Sequence, residues 1–312
     1  MRIAVVGAGG VGGYVGARLA AAGEDVHLVA RGPHLDAIRQ RGLRVDSIHG
    51  DVVVDVDASD DAASIGCSDV VLFCVKSFDT DAAARAHLPH LVGDETVVIS
   101  LQNGIDNEER LAAVVGRSHV AGGLALIFAG VSSPGVITHS GGPARLEFGE
   151  LDGSDSARLR RFHERCVAAG IDAELSDDIH ASLWHKYAFI CAVAGTTAAI
   201  RLPLGDVRST PASRRLLQEL LEEAYAVAQA DGVTVPSTAV EERLRFVDQL
   251  EAGMYSSLHD DLVNGRRMEL EGLHGTLVRI AAGYGIEVPA TRTIHAVLAP
   301  WEARNASLID GA

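Results

Sequence analysis

Lysine is almost absent from this 312-residue chain. Of its 27 basic residues, only Lys76 and Lys186 are lysines and the other 25 are arginines. Arginine stays protonated at any usable pH, whereas an ammonium among apolar groups can shift toward neutrality and take part in acid–base chemistry. The two lysines are therefore the first candidates for catalytic groups.

The chain also lacks an excess of positive charge. It carries 42 acidic and 27 basic residues, for a net charge of −15, and nucleic-acid proteins need a basic stripe instead. The one long apolar stretch, residues 181–200, is interrupted by His185 and Lys186, which argues against a membrane span. No secretory signal pattern opens the sequence. We expect a cytoplasmic protein that binds neither nucleic acid nor membrane.

Cysteine is scarce, and its spacing indicates no metal site. Cys67, Cys74, Cys166 and Cys191 lie far apart in apolar surroundings, which is typical of reduced core thiols in a cytosolic protein. The sequence contains no H-E-x-x-H motif, no paired C-x-x-C and no P-loop, so metal and phosphoryl-transfer chemistry are not expected.

The first half alternates apolar runs with helical patterns. The runs that we interpret as strands include Ile3–Val6, Val26–Val29, Val70–Val75 and Val97–Leu101. This alternation predicts a doubly wound parallel sheet. Residues 120–148 continue it with strand-like segments, separated by turn signals at residues 133–135 and 141–143.

The second half changes character, because strand signals stop after Asp177 and helical patterns follow. The predicted helices cover Asp178–Ile200, Pro211–Asp231, Ala239–Leu250 and Glu269–Tyr284. The sequence thus predicts an α/β fold in two domains. Residues 1–176 are predicted to form a Rossmann-type, doubly wound parallel sheet, and residues 177–312 are predicted to form an all-α domain.

A glycine-rich loop follows the first predicted strand and precedes the first helix. The residues of this loop that we assign to cofactor binding are Gly7, Ala8, Gly9, Gly10, Val11 and Gly12. The G-x-G-x-x-G pattern in a strand–loop–helix context is typical of dinucleotide binding, since glycines allow the backbone to approach a pyrophosphate at the helix N-terminus.

The end of the second strand indicates which dinucleotide is bound. An NAD site usually has Asp or Glu here to accept the ribose 2′-hydroxyl, but this chain has Ala30 followed by Arg31. A guanidinium can bind a 2′-phosphate through its planar fork. The sequence therefore predicts NADP(H), with Arg31 as a cofactor-binding residue.

Two polar residues follow the next strands. Lys76 follows Val70–Val75, and Asn103 follows Val97–Leu101. Ligands of open α/β sheets lie at the carboxyl ends of the strands, so we expect both residues to serve the cofactor, with Asn103 near the nicotinamide ribose.

Lys186 lies on a predicted helix whose same face is otherwise apolar. The residues three, four and seven positions away are mostly apolar: Ile179, Ser182, Leu183, Phe189, Ile190 and Val193. A lysine on such a face either extends to solvent or lines a water-poor site with a chemical task. Its rarity in this chain favours the second interpretation.

These motifs together resemble the ketopantoate reductase (2-dehydropantoate 2-reductase) family over about residues 1–300. The matching motifs are the glycine loop, Val75-Lys76, Gln102-Asn103-Gly104, Trp184-His185-Lys186, and residues 256–261 with Glu269. The resemblance implies that residues 1–176 form a Rossmann domain that binds NADPH, and that residues 177–312 form a helical domain for substrate binding and dimerisation. It also implies the reduction of a 2-keto acid by NADPH.

The resemblance also implies roles for individual residues. Lys186 would be the general acid, protonating the alkoxide that hydride transfer generates, and Glu269 would orient the substrate as part of the catalytic group. Ser257 and Asn103 would contact the substrate as well. The expected partners are a small carbonyl compound and a second copy of the chain.

The sequence departs from this family where its ketopantoate reducers carry asparagines. The corresponding positions here are Ile190, Ala194 and Leu204. Loss of amide hydrogen bonds, each contributing roughly 0.5–1.5 kcal/mol, makes the substrate-binding wall at Ile190 and Ala194 more apolar. A bulkier or more apolar keto acid would suit it better than ketopantoate.

Two alternatives remain open from the sequence. The same fold could act on a more apolar carbonyl or imine, or oxidise a hydroxy acid. A non-enzymatic protein that senses NADP(H) would have no need for Lys186 or Glu269, and their joint presence argues against it.

Overall fold

The contacts of the chain define two compact units in the computed structural model, which describes residues 1–310, with side chains described through residue 307. The first unit comprises Met1–Gln102 and Asp106–His180, and the second comprises Asn103–Ile105 and the chain from Ala181 onward. The sequence places the boundary at residue 176, and the contacts divide the chain a few residues later.

The first unit is a mixed α/β structure. Its strands are β1 (Arg2–Val6), β2 (Asp25–Val29), β3 (Leu43–Ser47), β4 (Val52–Val54), β5 (Asp57–Ser59), β6 (Val70–Phe73), β7 (Val97–Ser100), β8 (Val120–Ser133), β9 (Val136–Glu150) and β10 (Asp172–Leu175). Its helices are α1 (Gly10–Ala21), α2 (Gly32–Arg41), α3 (Thr80–Leu91), α4 (Asn107–Val115) and α5 (Ala157–Ala168).

The strands of this unit pair into one sheet with the order β4-β3-β9-β8-β7-β6-β1-β2-β5, and β10 pairs with β9. The run from β5 to β8 is parallel throughout and has the strand order of a Rossmann sheet, whose ligand crevice lies where the order reverses, between β1 and β6. The predicted α/β fold class is confirmed.

The central strands are apolar at consecutive positions because the sheet is covered on both faces. Ile3 and Val5 of β1 pack into one hydrophobic cluster, whereas Ala4 and Val6 pack into another, and all four are at most 1% exposed. A strand buried on both sides has no polar face. This burial explains why the sequence shows short apolar runs here instead of alternation.

The β8–β9 hairpin and the segments beside it differ from the sequence expectation. The predicted turn at residues 141–143 is wrong, because β9 continues through it with a register shift opposite Leu126 and Phe128. Gly142 (φ +80°) and Ala144 (φ +53°) adopt the left-handed conformations that such a bulge requires. The sequence also gave no signal for β3, which pairs with β9 at residues 136–139.

The second unit is helical. Its helices are α6 (Ile179–Ile200), α7 (Leu204–Ser209), α8 (Pro211–Ala230), α9 (Ala239–Gln249), α10 (Ser257–Val263), α11 (Thr276–Tyr284) and α12 (Pro289–Asp310). The first two residues of α6 belong to the first unit by their contacts. The predicted helix Glu269–Tyr284 is interrupted by a π-helical turn, Glu271–Gly275, before α11 begins.

The helix α6 contributes some of the most deeply buried side chains of the helical core. Trp184, Tyr187, Ala188 and Cys191 are all at most 1% exposed. A helix that is apolar around its circumference must be enclosed by its neighbours. Within the described residues, however, no helix is both long and apolar enough to cross a membrane.

The four cysteines are free thiols, but they are not all core residues. Cys166 and Cys191 are buried and Cys74 is half-buried, whereas Cys67 is exposed. Burial raises the pKa of Cys74 and of Cys166 to about 12, so these thiols are not nucleophiles at neutral pH. The expectation of a core position is wrong for Cys67.

Candidate active site

The glycine loop connects β1 to α1, and two of its glycines are required by the backbone. Gly7 has φ +99°, a left-handed conformation that disfavours any side chain. At Gly12, an added Cβ would lie 2.2 Å from the Gly7 carbonyl oxygen, so a side chain there would push α1 away from the loop. A tight turn at the first glycine and a close approach of the helix at the third are the geometric requirements of a dinucleotide-binding loop.

The N-terminus of α1 has the features of a site for an anionic group. Gly9 is the N-cap residue, it makes no side-chain capping bond, and the first turn carries no acidic residue. An added Cβ on Gly9 would meet no atom within 4 Å, so the space above its backbone is open. Unsatisfied amide N–H groups at a helix N-terminus attract phosphate. The loop therefore fits the pyrophosphate of a dinucleotide.

The remaining loop residues, Ala8, Gly10 and Val11, carry this turn into the helix. His34 of α2 holds it in place, since its Nε2 lies 2.9 Å from the Ala8 carbonyl oxygen and its Nδ1 accepts from the amide of Gly135 at 3.0 Å. These two bonds require the neutral Nε2–H tautomer. Burial lowers the pKa of His34, which favours this neutral form. His34 was not singled out by the sequence, because only the fold brings it to the loop.

Arg31 follows β2 and is the N-cap residue of α2. Its side chain is 84% exposed, and Nη2 of its guanidinium donates to Asp79 Oδ2 at 2.7 Å. No acidic residue occupies the end of β2, where Val29 and Ala30 are buried. The position can accept a phosphate, although the Asp79 carboxylate already binds part of the guanidinium fork.

Lys76 lies three residues beyond the end of β6, and its carbonyl accepts from the amide of Asp79 at 2.8 Å. Its side chain is exposed. The buried Gln102 fixes this segment, donating from Nε2 to the Val75 carbonyl at 2.9 Å and to the Thr80 hydroxyl at 2.8 Å. Gln102 is therefore a positioning residue for the loop that carries Lys76.

Asn103 follows β7 by three residues, is half-buried, and belongs by its contacts to the helical unit. Ile105, two residues later, packs against the core of that unit. By its position in the chain, between β7 and α4, this segment would belong to the sheet domain. Only the contacts place it with Lys186, Ser257 and Glu269 in the second unit.

Lys186 is half-buried on α6, and the aromatic residues beside it fix the orientation of the helix. Trp184 Nε1 donates to Asp231 Oδ2 at 2.8 Å, and the Tyr187 hydroxyl donates to the Leu273 carbonyl at 2.5 Å. Both side chains are at most 1% exposed. These anchors restrict rotation of α6, so Lys186 projects from it in a defined direction.

Glu269 is buried, at 8% exposed, two residues before the π-helical turn begins at Glu271. This turn contacts α6 through His274, which is fully buried and whose Nε2 lies 2.9 Å from the Cys191 carbonyl oxygen. Burial lowers the pKa of His274 to about 4. At Gly195, an added Cβ would lie 2.6 Å from His274 Nε2, so glycine permits this close approach.

Ser257 is the first residue of α10 and is exposed, whereas its neighbour Ser256 is buried and caps the helix by accepting from the His259 amide at 3.1 Å. The hydroxyls of Ser256 and Thr197 are hydrogen bonded at 2.8 Å. Thr197 lies on α6, so this contact ties the start of α10 to the helix that carries Lys186.

The three positions at which the chain departs from asparagine differ in exposure. Ile190 is half-buried, but Ala194 is 2% exposed and Leu204 is fully buried in the apolar cluster of the helical unit. Of the three, Ile190 is therefore the position where a change would alter an accessible wall with the least disturbance of the core. Among the described residues, no group of His, Cys, Asp and Glu could hold a metal ion.

Comparison with protein families gives two matches that together span most of the chain. The model described as "Ketopantoate reductase PanE/ApbA" matches residues 3–153, and its C-terminal counterpart matches residues 178–302. The predicted resemblance rests on the motifs within these two stretches.

Individual proteins agree with the family models. A 2-dehydropantoate 2-reductase of Halobacterium salinarum is 33% identical, over 94% of this chain and 96% of its own length. The oxidoreductase YkpB of Bacillus subtilis, itself uncharacterized, is 32% identical over 97% of this chain and 99% of its own. The crystal structure of a PanE/ApbA family ketopantoate reductase from Ralstonia eutropha JMP134 matches with a TM-score of 0.90 and 34% identity, covering 98% of this chain and 100% of that one.

Proposed function

Because this chain belongs to the ketopantoate reductase (PanE/ApbA) family, we propose that it is an NADPH-dependent reductase of a 2-keto acid in which Lys186 supplies the proton. Family membership makes it a 2-dehydropantoate 2-reductase-like oxidoreductase that acts on a CH–OH or C=O group. The observation that carries the proposal is the placement of Lys186, half-buried on a helix whose neighbouring aromatic side chains are anchored.

The glycine loop supports a bound nicotinamide dinucleotide, which supplies the hydride. The open backbone at Gly9 and the uncapped N-terminus of α1 would hold the pyrophosphate. Arg31 would bind the 2′-phosphate of NADPH through the guanidinium N–H groups that Asp79 does not occupy. Lys76 would serve the same cofactor from the segment that Gln102 fixes.

Exchanging Arg31 for alanine should weaken NADPH binding by roughly 10-fold, the loss of about one charge-assisted hydrogen bond at an exposed position, and leave NADH binding nearly unchanged. Titration of both cofactors against the native protein and the variant measures this. Arg41→Ala is a matched control, since it removes an arginine of the same helix whose Nη2 is directed at the Pro134 carbonyl. Equal weakening of NADPH and NADH, or tighter NADH binding by the native protein, would show that Arg31 does not select the cofactor.

Lys186 and Glu269 support the acid–base half of the reaction. Addition of a hydride to a keto carbon leaves an alkoxide, which an ammonium can protonate as it forms. Glu269, a buried carboxylate, would orient the substrate through a hydrogen bond, and Ser257 and Asn103 would contact the substrate from the same unit. Arginine could not replace Lys186 in this task, because a guanidinium does not release its proton.

The apolar residues at positions 190 and 194 favour a keto acid with a hydrocarbon side chain. Ile190→Asn should therefore raise kcat/KM for ketopantoate, relative to an apolar 2-keto acid, by roughly 2- to 12-fold, the value of one hydrogen bond. The double variant Ile190→Asn/Ala194→Asn places amides at both positions of the wall. Its thermal unfolding must also be measured, because Ala194 is buried. A native protein that reduces ketopantoate better than every apolar analogue would overturn this substrate preference.

The decisive experiment follows NADPH consumption with a panel of 2-keto acids that includes ketopantoate and, in parallel, with a set of imines. Turnover of one or more of these acids supports the proposed function. Turnover of imines alone would place the same fold in a different reaction, and binding of NADPH without turnover of any carbonyl or imine would favour the sensing protein.

A further inference from the structure

A second cationic side chain, Arg243, lies beside the segment of α6 that carries Lys186. It belongs to α9, and its Cζ lies 5.8 Å from the ring centroid of Phe189 and 5.7 Å from that of Phe246. The two rings contact each other edge to face at 5.4 Å. The guanidinium is thus held against two aromatic rings.

The position of Phe189 connects Arg243 to the proposed site. Phe189 follows Lys186 by one turn of α6, and residues three apart on a helix project from the same side. Ile190, the next residue, is half-buried on that side as well. Arg243 therefore lies near the face of α6 from which Lys186 projects.

The charge of Arg243 has no acidic partner among the described residues, and its contacts there are with the two rings. Two other arginines that belong to α9 or contact it have carboxylate partners: Arg245 lies 3.9 Å from Glu241, and Arg214 of α8 binds Asp248 of α9 at 2.6 Å. In a chain with a net charge of −15, a half-buried cation that contacts rings in place of a carboxylate is available to an anionic ligand.

The chemistry of this arrangement matches a carboxylate next to a hydrocarbon group. A guanidinium binds carboxylate through two parallel hydrogen bonds, and stacking against rings limits its motion and therefore the entropy lost on binding. On α6, Ile190 and Ala194 offer no side-chain hydrogen-bond donor to such a group. A 2-keto acid needs a carboxylate partner, and its side chain needs an apolar surface, which Phe189 and the 43% exposed Phe246 provide.

We propose that Arg243 binds the carboxylate of the substrate while Phe189 and Phe246 contact its hydrocarbon side chain. These contacts select 2-keto acids that carry an aromatic or branched apolar group. This inference rests on the proposed function, since it names the substrate class of the same site. It assigns to α9 a substrate-binding residue in addition to those of α6, α10 and Glu269.

The test compares phenylpyruvate with its methyl ester, which keeps the keto group and the ring but has no charge. Arg243→Gln should raise KM for phenylpyruvate by roughly 10- to 150-fold, the loss of a charged hydrogen bond, and change KM for the ester little, with kcat for both nearly unchanged. Arg243→Lys keeps the charge without the fork and should give an intermediate KM. Arg245→Gln removes an equal charge from the same helix at an exposed position and should leave both KM values unchanged.

The outcomes separate this inference from the proposed function. If the native protein reduces phenylpyruvate and Arg243→Gln raises KM for acid and ester alike, or for neither, Arg243 does not bind the carboxylate while the reductase function stands. If the native protein reduces no keto acid, the proposed function fails, and calorimetric binding of 3-phenylpropionate to the native protein and the variants then decides the role of Arg243. Equal affinity of native protein and Arg243→Gln for this carboxylate would overturn the inference. Thermal unfolding of both Arg243 variants shows that each is folded.

Discussion

Replacing Lys186 by alanine should lower kcat for the preferred 2-keto acid by roughly 10²–10⁴-fold, the range that a positioned general acid contributes. The alanine variant keeps the glycine loop and the anchors at Trp184 and Tyr187, so its affinity for the cofactor and its thermal stability should stay close to native. The loss should therefore lie in the chemical step, which single-turnover measurement of NADPH oxidation reports directly.

Two further measurements make this result specific to proton transfer. Lys186→Arg keeps the positive charge and should remain as slow as the alanine variant, because its guanidinium holds its proton. Added ethylamine should restore part of the activity of Lys186→Ala in proportion to its concentration, since a free ammonium can replace the missing acid. Near-native turnover by Lys186→Arg would exclude Lys186 as the proton donor.

Acidification should destabilise the native protein more steeply than a His274→Gln variant. Burial lowers the pKa of His274 to about 4, whereas the unfolded chain has the ordinary value of about 6.5. Above pH 6.5 the ring is neutral in both states and contributes no pH dependence. Between pH 6.5 and about 4 the unfolded chain binds a proton that the folded chain excludes, so the free energy of unfolding falls as the pH falls.

The loss of stability on acidification can be calculated from the difference between the pKa of His274 in the folded and unfolded chain. Each pH unit within that window costs about 1.4 kcal/mol, so His274 should remove roughly 3 kcal/mol of stability across it. Glutamine can still donate to the Cys191 carbonyl but does not titrate. Its variant should have a lower free energy of unfolding at pH 7 and a shallower loss toward pH 4.

Urea unfolding at several pH values between 7 and 4 measures both slopes. His34, His87 and His139 also have lowered pKa values and contribute to the pH dependence of both proteins, so the difference between the slopes isolates His274. Slopes that coincide within error would mean that His274 is not held neutral in the core. That result would also weaken its role in joining the π-helical turn to α6.

Parts of the site could be predicted because they depend on local chemistry. The glycine loop needs a left-handed residue at Gly7 and a small one at Gly12, and these requirements appear directly as residue types at fixed spacing. Lys186 was conspicuous for the same reason, since one lysine on an apolar helical face needs no knowledge of distant segments. The helical periodicity of the second half and the doubly buried strands of the first were likewise encoded locally.

Other parts depended on contacts between segments distant in the chain. Asp79 meets Arg31 across 48 positions, and His274 reaches Cys191 across 83. The pairing of β3 with β9 is of the same kind. No periodic pattern records such partners, because either member of a pair is compatible with many alternatives until packing brings the two together.

The sequence by itself determined the change from a sheet-forming to a helical half, the glycine loop between β1 and α1 and the position of Lys186 on a largely apolar helix, because periodicity, glycine conformation and residue rarity are properties of short stretches. Only the tertiary structure decided that Asn103 belongs to the helical unit by its contacts, that Ala194 and Leu204 are buried while Ile190 is half-buried, and that Arg243 lies against Phe189 with no acidic partner among residues 1–307. Those properties arise from which side chains pack against one another, and packing is settled by the whole fold.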